Sequence, residues 1–338
     1  MKLFWRRDRN AWYVRYKDER GKWRAKRAGG TEAEAHVVME RLREELLLLK
    51  RGRITRAELR AAEQAERPIG EVVEEYRRHM EGRQLTRPHI KEALRCIRAV
   101  VAGIGAKCLG DVEAVKVERW LEGLIRKGRS ACTRNVYLRR MNGLVNWAYK
   151  RGYLREHPLR VIDGVPEERD RREVSRALTS DEVRRLLKAV PEKRRLYYAV
   201  AVYLGLRWSE VYRLRWDDVD LQAGKVYLRA EATKAGRADT LDIPPRLVRM
   251  LRYSRNANGH GAIFLSKPIQ RTWKRDLELA GIRYEVNGQQ ADRKCLRKTC
   301  CTQMILAGGS LWQVVRHMRH RDPKVTLRAY AELGVLLA

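Results

Sequence analysis

The stretch Asp163 to Arg176, DGVPEERDRREVSR, carries almost no apolar side chains, and a segment of that kind cannot lie inside a hydrophobic core. In a chain of 338 residues it predicts separately packed parts, since single cores stop growing near that size. We read 163–176 as a linker and 177–338 as a final domain beyond it.

Upstream of the strip the apolar period changes. In WYVRYKD, Trp12, Val14 and Tyr16 alternate with Tyr13, Arg15 and Lys17. After a turn at Asp18 to Gly21, Trp23 and Ala25 alternate with Lys22, Arg24 and Lys26. Period two predicts strands with one apolar and one basic face. Thr31 with Glu34 makes a capping box for a helix running through Leu46 to Leu49. Residues 1–60 are thus expected to form a three-stranded sheet plus a helix. The basic run Lys50 to Arg67 reads as helix extension or linker.

Residues 69–162 have helical spacing, with segments near Glu71 to Glu81, Pro88 to Val101, Val112 to Arg126 and Ala131 to Lys150. On the last of these, Leu138, Met141, Val145 and Ala148 form one stripe, while Arg139, Arg140, Asn142, Asn146 and Lys150 face elsewhere. Beyond the strip, helices alternate with a pair of short strands, Lys225 to Arg229 and Thr240 to Ile243. The fold class expected is therefore α+β, mainly α with small β-sheets: a sheet plus helix, a helical domain, and a mixed α/β domain.

Charge points to a partner. Lys plus Arg number 74 against 42 Asp plus Glu, a formal +32, far beyond what solubility asks for, so a polyanion is expected. Apolar runs fall short of the roughly 18 residues that a spanning helix needs, and the N-terminus has no signal-peptide core. A soluble cytoplasmic protein without a membrane partner is the expectation. Six cysteines lack paired C-x-x-C spacing, which predicts reduced thiols and no metal site. Nucleic acid suits the basic strand face, with Tyr13 in a groove and Arg15, Lys17, Lys22, Arg24 and Lys26 near phosphates. Arg139 and Arg140 are further candidates for backbone contact.

The last domain has no carboxylate cluster with metal spacing and no Ser-His-Asp pattern. Instead it places cations at helix starts and one tyrosine late in the chain, a pattern suited to phosphate chemistry without metal or cofactor. Four separated motifs carry it: GLRWSEVYRLRWDDVD (Gly205 to Asp220), ATKAGR (Ala232 to Arg237), KCLRKT (Lys294 to Thr299) and MRHRDPKVTLRAY (Met318 to Tyr330). In order and spacing they resemble the tyrosine recombinase (phage integrase) family. The segment Thr133 to Leu159 is similar to that family's core-site DNA-binding segment, and the first fifty residues resemble an arm-site binding domain.

This resemblance implies that Tyr330 is the nucleophile, that Arg207 and Arg297 hold the phosphate, that Lys234 is the general acid, and that His320 and Lys294 are further phosphate donors. The chemistry is apt, because fork-shaped, permanently charged guanidiniums bind nonbridging oxygens bidentately as charge builds there. A tyrosine titrating near about 10 needs assistance, expected here from cationic surroundings. Glu210 is expected to steady the first arginine motif. Asp322 and Pro323 fit the start of the helix that presents Tyr330. Lys294 replaces the family's usual histidine, Arg319 replaces the usual glycine before His320, and His317 competes with His320 for its role.

The implied activity is site-specific DNA strand exchange through a 3′-phosphotyrosine bond, serving integration or excision of a phage or mobile element. The implied assembly is a homotetramer on double-stranded DNA sites, with an accessory DNA-bending protein left open as a partner. A type IB topoisomerase-like enzyme and a non-catalytic DNA-binding relative are the alternatives.

Overall fold

The computed structural model describes residues 1–338 apart from 19–20, 171, 173, 234–235, 256–259 and 335–338. It divides into two compact units, Met1–Arg171 and Arg172–Ala338.

The first unit opens with an antiparallel sheet ordered β1-β2-β3, built from β1 (Lys2–Arg6), β2 (Ala11–Lys17) and β3 (Trp23–Gly29). Helix α1 (Glu32–Lys50) starts on the Thr31/Glu34 capping box, whose reciprocal bonds satisfy otherwise orphaned N–H groups. A small core of Val14, Ala28, Ala35 and Leu42 joins helix to sheet.

The faces of β3 are opposite to the sequence expectation. Lys17 pairs with Trp23, Arg15 with Ala25 and Tyr13 with Arg27, so Trp23 and Ala25 share the outer face with the β2 cations. Arg24 and Lys26 point to the helix side, where they meet Asp18 at 3.2 Å and Glu63 at 3.2 Å. The backbone bond from Asp18 N–H to the Lys22 carbonyl closes the connection at 2.8 Å, with Gly21 at φ 75. That closure sets the register, and a one-residue slip exchanges the faces.

Within 50–67 a separate helix forms, α2 (Arg56–Ala65), because Thr55 and Glu58 make a second capping box. Four helices follow: α3 (Ile69–Gly82), α4 (Arg87–Ile104), α5 (Ala114–Arg126) and α6 (Ala131–Lys150). Their core includes Ile97, Leu121 and the α6 stripe of Leu138, Met141, Val145 and Ala148.

The strip read as a linker is docked at both ends. The Asn135 side chain donates to the Val165 carbonyl at 2.7 Å and accepts from the Val165 N–H at 3.0 Å, and Arg134 donates to the Asp163 carbonyl at 2.6 Å. Burying two polar side chains under the strip satisfies backbone groups that have no strand or helix partner. At its other end β4 (Val174–Ser175) joins a sheet of the second unit.

In that unit α7 (Ser180–Ala189), begun by the Thr179/Glu182 capping box, precedes α8 (Glu192–Tyr203), whose Leu196 through Val202 are all buried. Next come α9 (Trp208–Tyr212) and a sheet ordered β5-β6-β7, from β5 (Val219–Asp220), β6 (Lys225–Leu228) and β7 (Asp239–Asp242). Helices α10 (Pro245–Ser254) and α11 (Gln270–Leu279) lead to β8 (Glu285–Val286) and β9 (Gln289–Gln290), which complete the order β4-β9-β8. The chain ends in α12 (Cys295–Leu306), α13 (Leu311–Met318) and α14 (Lys324–Leu333). Cys300, Cys301, Ile305, Val314, Met318 and Tyr330 form a separate apolar cluster among these last helices.

Candidate active site

The site is built where the turn after α8 meets α12 and the end of α13. Gly205, at φ 58, turns the chain there, and a Cβ on it would lie 2.9 Å from the Met318 sulfur and 3.1 Å from that of Cys300. Its carbonyl accepts from Arg297 Nη1, and the Met318 carbonyl accepts from Nη2. Two backbone oxygens from distant segments thereby fix the guanidinium that α12 presents.

Arg207 stands at the start of α9. Its N–H donates to one Glu210 oxygen at 3.0 Å, and Nη1 to the other at 2.8 Å. Glu210 also accepts from Arg319 Nη2 at 2.7 Å. This carboxylate is only 1% exposed. Burial opposes its charge, but the Arg319 charge and the donors from Arg207 and Arg319 outweigh it and hold the carboxyl down at about 2.

Arg319 occupies a left-handed position, φ 53 and ψ 45, just past α13. That backbone explains why glycine suits the position, since a side chain there costs roughly 1–2 kcal/mol. The arginine offsets the strain by turning inward to Glu210, leaving its side chain 9% exposed.

Burial, then the neighbouring charges of Arg207 and Arg319, pull the Arg297 guanidinium down to about 10. Two guanidiniums thus share one carboxylate with Arg297 as a third charge nearby, and an anion among them would relieve the residual repulsion. His320 lies beside them, with Nδ1 2.8 Å from the Thr326 hydroxyl. Burial first, then Arg297, Arg207 and Arg319, push its imidazole down to about 4, so it is neutral near pH 7. His317, the competing histidine, instead turns Nε2 toward the Cys300 thiol at 3.7 Å.

Tyr330 does not join this group. It is 4% exposed within the apolar cluster of α12, α13 and α14, and its hydroxyl donates to the Gly309 carbonyl. Burial, then Cys301, raises its phenol above the ordinary value. Among the described residues the ring packs against sulfur and aliphatic side chains, and none of them supplies the expected cationic assistance in this conformation. Lys298 adds a clasp on α14, reaching Glu332 at 2.9 Å.

Lys294 is exposed at the start of α12, one turn before Arg297. Lys234 lies outside the described residues. Beside it, Thr233 donates its hydroxyl to the Ala230 and Arg237 carbonyls, at 3.1 and 2.9 Å. Asp322 accepts from the Lys324 N–H at 2.9 Å, capping the start of α14.

Among the first-unit candidates, Arg15 and Lys17 flank the exposed Trp23 ring at 4.8 and 5.2 Å, and Lys22 is exposed. Tyr13 is 8% exposed, covered by Phe4 and by the Arg6 guanidinium. Arg27, exposed on the same outer face, escaped the sequence reading because its face follows from the register. Arg139 pairs with Glu167 at 3.1 Å, and Arg140 lies 3.1 Å from His89 Nε2. Thr326 was also missed, although a threonine four residues before Tyr330 shares its helix face.

Among the described residues, no helix is long and apolar enough to cross a membrane, and no group of three or more His, Cys, Asp or Glu is placed to hold a metal ion.

Residues 176–334 match the phage integrase family. The putative defective protein IntQ of Escherichia coli K12 is 32% identical over 108 residues, 32% of this chain and 26% of IntQ. A XerC-like tyrosine recombinase of Caldanaerobacter subterraneus is 21% identical over 273 residues, 66% of this chain and 68% of that protein. Among solved structures, a lambda integrase dimer bound to a COC′ core site superposes with a TM-score of 0.66 at 16% identity, covering 99% of this chain and 96% of that one. A lambda integrase tetramer bound to a Holliday junction gives 0.64 at 17%, covering 97% and 94%.

Proposed function

We propose that this chain, whose residues 176–334 match the phage integrase family, is a tyrosine recombinase that cleaves and rejoins duplex DNA at specific sites through a covalent bond to Tyr330. The observation that carries the reading is the meeting of Arg207, Arg297 and Arg319 beside His320, with Arg207 and Arg319 held by the buried Glu210 carboxylate, a cationic seat for a phosphodiester.

In the proposed reaction the Tyr330 oxygen bonds to phosphorus while the bond to the 5′ oxygen breaks. The phenolic proton passes to solvent, and the 5′ oxygen takes a proton from Lys234. Arg207 and Arg297 neutralise the charge that builds on the nonbridging oxygens, and Lys294 donates from the start of α12. A 5′ hydroxyl from a partner strand then attacks the phosphotyrosine and reverses the bond changes. Before attack the Tyr330 hydroxyl leaves the Gly309 carbonyl, so α14 must shift toward the arginines.

In this reading residues 1–60 bind arm-type sites, 69–162 bind the core site, and 177–338 carry the chemistry. Four copies act together on two sites, as supported by the lambda integrase tetramer on a Holliday junction. The biological role is integration or excision of a phage or mobile element.

The test is trapping on nicked half-site duplexes drawn from the DNA flanking the coding region. A denaturant-resistant adduct that Tyr330→Phe abolishes is expected. No adduct from any flanking site, or an adduct that survives Tyr330→Phe, would overturn the assignment.

A further inference from the structure

The Thr326 side chain is fully buried, and its single hydrogen bond among the described residues is the 2.8 Å contact with His320 Nδ1. A buried hydroxyl must place its proton on an acceptor, because an unsatisfied donor costs on the order of 1–3 kcal/mol. A threonine in a helix often donates back to the carbonyl four residues earlier, but no such bond forms here. Among the described residues the one acceptor that the hydroxyl meets is Nδ1, which must then carry the lone pair.

We propose that Thr326 is a positioning residue: its hydroxyl donates to Nδ1 of His320 and so fixes the imidazole tautomer with hydrogen on Nε2, the nitrogen that donates to the scissile phosphate. The role of Nε2 rests on the recombinase reading above, while the tautomer itself does not. Which ring nitrogen carries hydrogen in a neutral histidine is set by the hydrogen bond that the other nitrogen makes. Burial, then the cations of Arg297, Arg207 and Arg319, keep this imidazole neutral, so the tautomer decides what it offers an anion. With hydrogen on Nδ1, a lone pair on Nε2 would face the phosphate oxygens and repel them.

Thr326 rides on α14 one turn before Tyr330, and both side chains are buried on that helix. The element that carries the nucleophile is therefore also the element that primes His320. A sequence motif identifies the histidine, but not the hydroxyl that orients its proton.

The experiment is long-range proton–nitrogen correlation on the full chain with 15N-labelled histidine near pH 7, using His320→Gln to identify the signals among the seven histidines. The expected pattern has hydrogen on Nε2 in the parent chain, moving to a mixture or to Nδ1 in Thr326→Val. Thr326→Ser should restore both the pattern and adduct formation, which the valine variant lowers by roughly tenfold or more. Hydrogen on Nδ1 in the parent chain, or an unchanged pattern in Thr326→Val, overturns the inference. If the valine variant does not fold, Thr326→Ala is read in its place by the same criteria. A parent chain with the expected tautomer but no DNA adduct leaves the assignment of the proton intact and overturns the recombinase reading instead.

Discussion

Arg319 reaches the Glu210 carboxylate at 2.7 Å across 109 positions of sequence, and Glu210 in turn holds Arg207 at 2.8 Å. A residue in a left-handed conformation is thus tied to Arg207, the first arginine of the proposed phosphate seat.

Removing Arg319 should therefore cost more than its backbone strain returns. Arg319→Gly relieves roughly 1–2 kcal/mol at the left-handed position, but leaves a buried carboxylate short of a partner, a loss of about 3–5 kcal/mol. Urea unfolding should show a net destabilisation of about 2 kcal/mol, and an equally stable or more stable variant would contradict the pairing.

Glu210 also makes stability depend on acid. Its carboxyl is held at about 2 in the folded chain, against about 4.3 when unfolded, so its contribution is complete above the unfolded value and is lost as pH falls toward 2. Comparing unfolding free energies of the parent chain and Glu210→Gln between pH 6 and 3 should give a gap that narrows as the pH drops. A gap independent of pH would rule out the depressed carboxyl.

On the helix carrying Tyr330, the proposed nucleophile, the half-exposed Lys298–Glu332 pair is expected to contribute about 0.5–1 kcal/mol toward the docked position of that ring. Glu332→Ala should raise the rate of adduct formation on a nicked half-site by about two- to fivefold, the equivalent of that energy. A slower reaction would mean that the clasp supports the reactive seat instead.

Loss of either guanidinium of the proposed phosphate seat should have a far larger effect. Arg207→Ala and Arg297→Ala are each expected to lower cleavage by roughly 10²- to 10³-fold, measured as single-turnover adduct formation. Retained cleavage in both variants would remove the phosphate seat from this location.

The two faces of the N-terminal sheet should also separate in DNA binding. Arg15→Ala and Lys17→Ala remove exposed outer cations, and each should lower the dependence of affinity on salt by about one phosphate contact. Arg24→Ala and Lys26→Ala remove cations already paired with Asp18 and Glu63 and should change that slope less. Equal slopes in all four variants would oppose an outer-face contact.

The sequence by itself determined the features that neighbours along the chain decide. The Thr31/Glu34 and Thr179/Glu182 boxes begin α1 and α7, and the spacing of Leu138, Met141, Val145 and Ala148 chooses the buried face of α6, because capping and helical periodicity act within one or two turns. Four motifs, read as a set, point to Arg207, Arg297 and Tyr330 as candidates. Tertiary structure alone decided that Arg319 turns inward to Glu210, that Thr326 meets His320, that Trp23 rather than Arg24 shares a face with Lys17, and that Tyr330 docks on Gly309 away from the arginines. These relationships depend on how a turn closes or on how separate helices pack. Local periodicity carries no information about which buried donor finds which distant acceptor, and the free energy of that choice belongs to the assembled core.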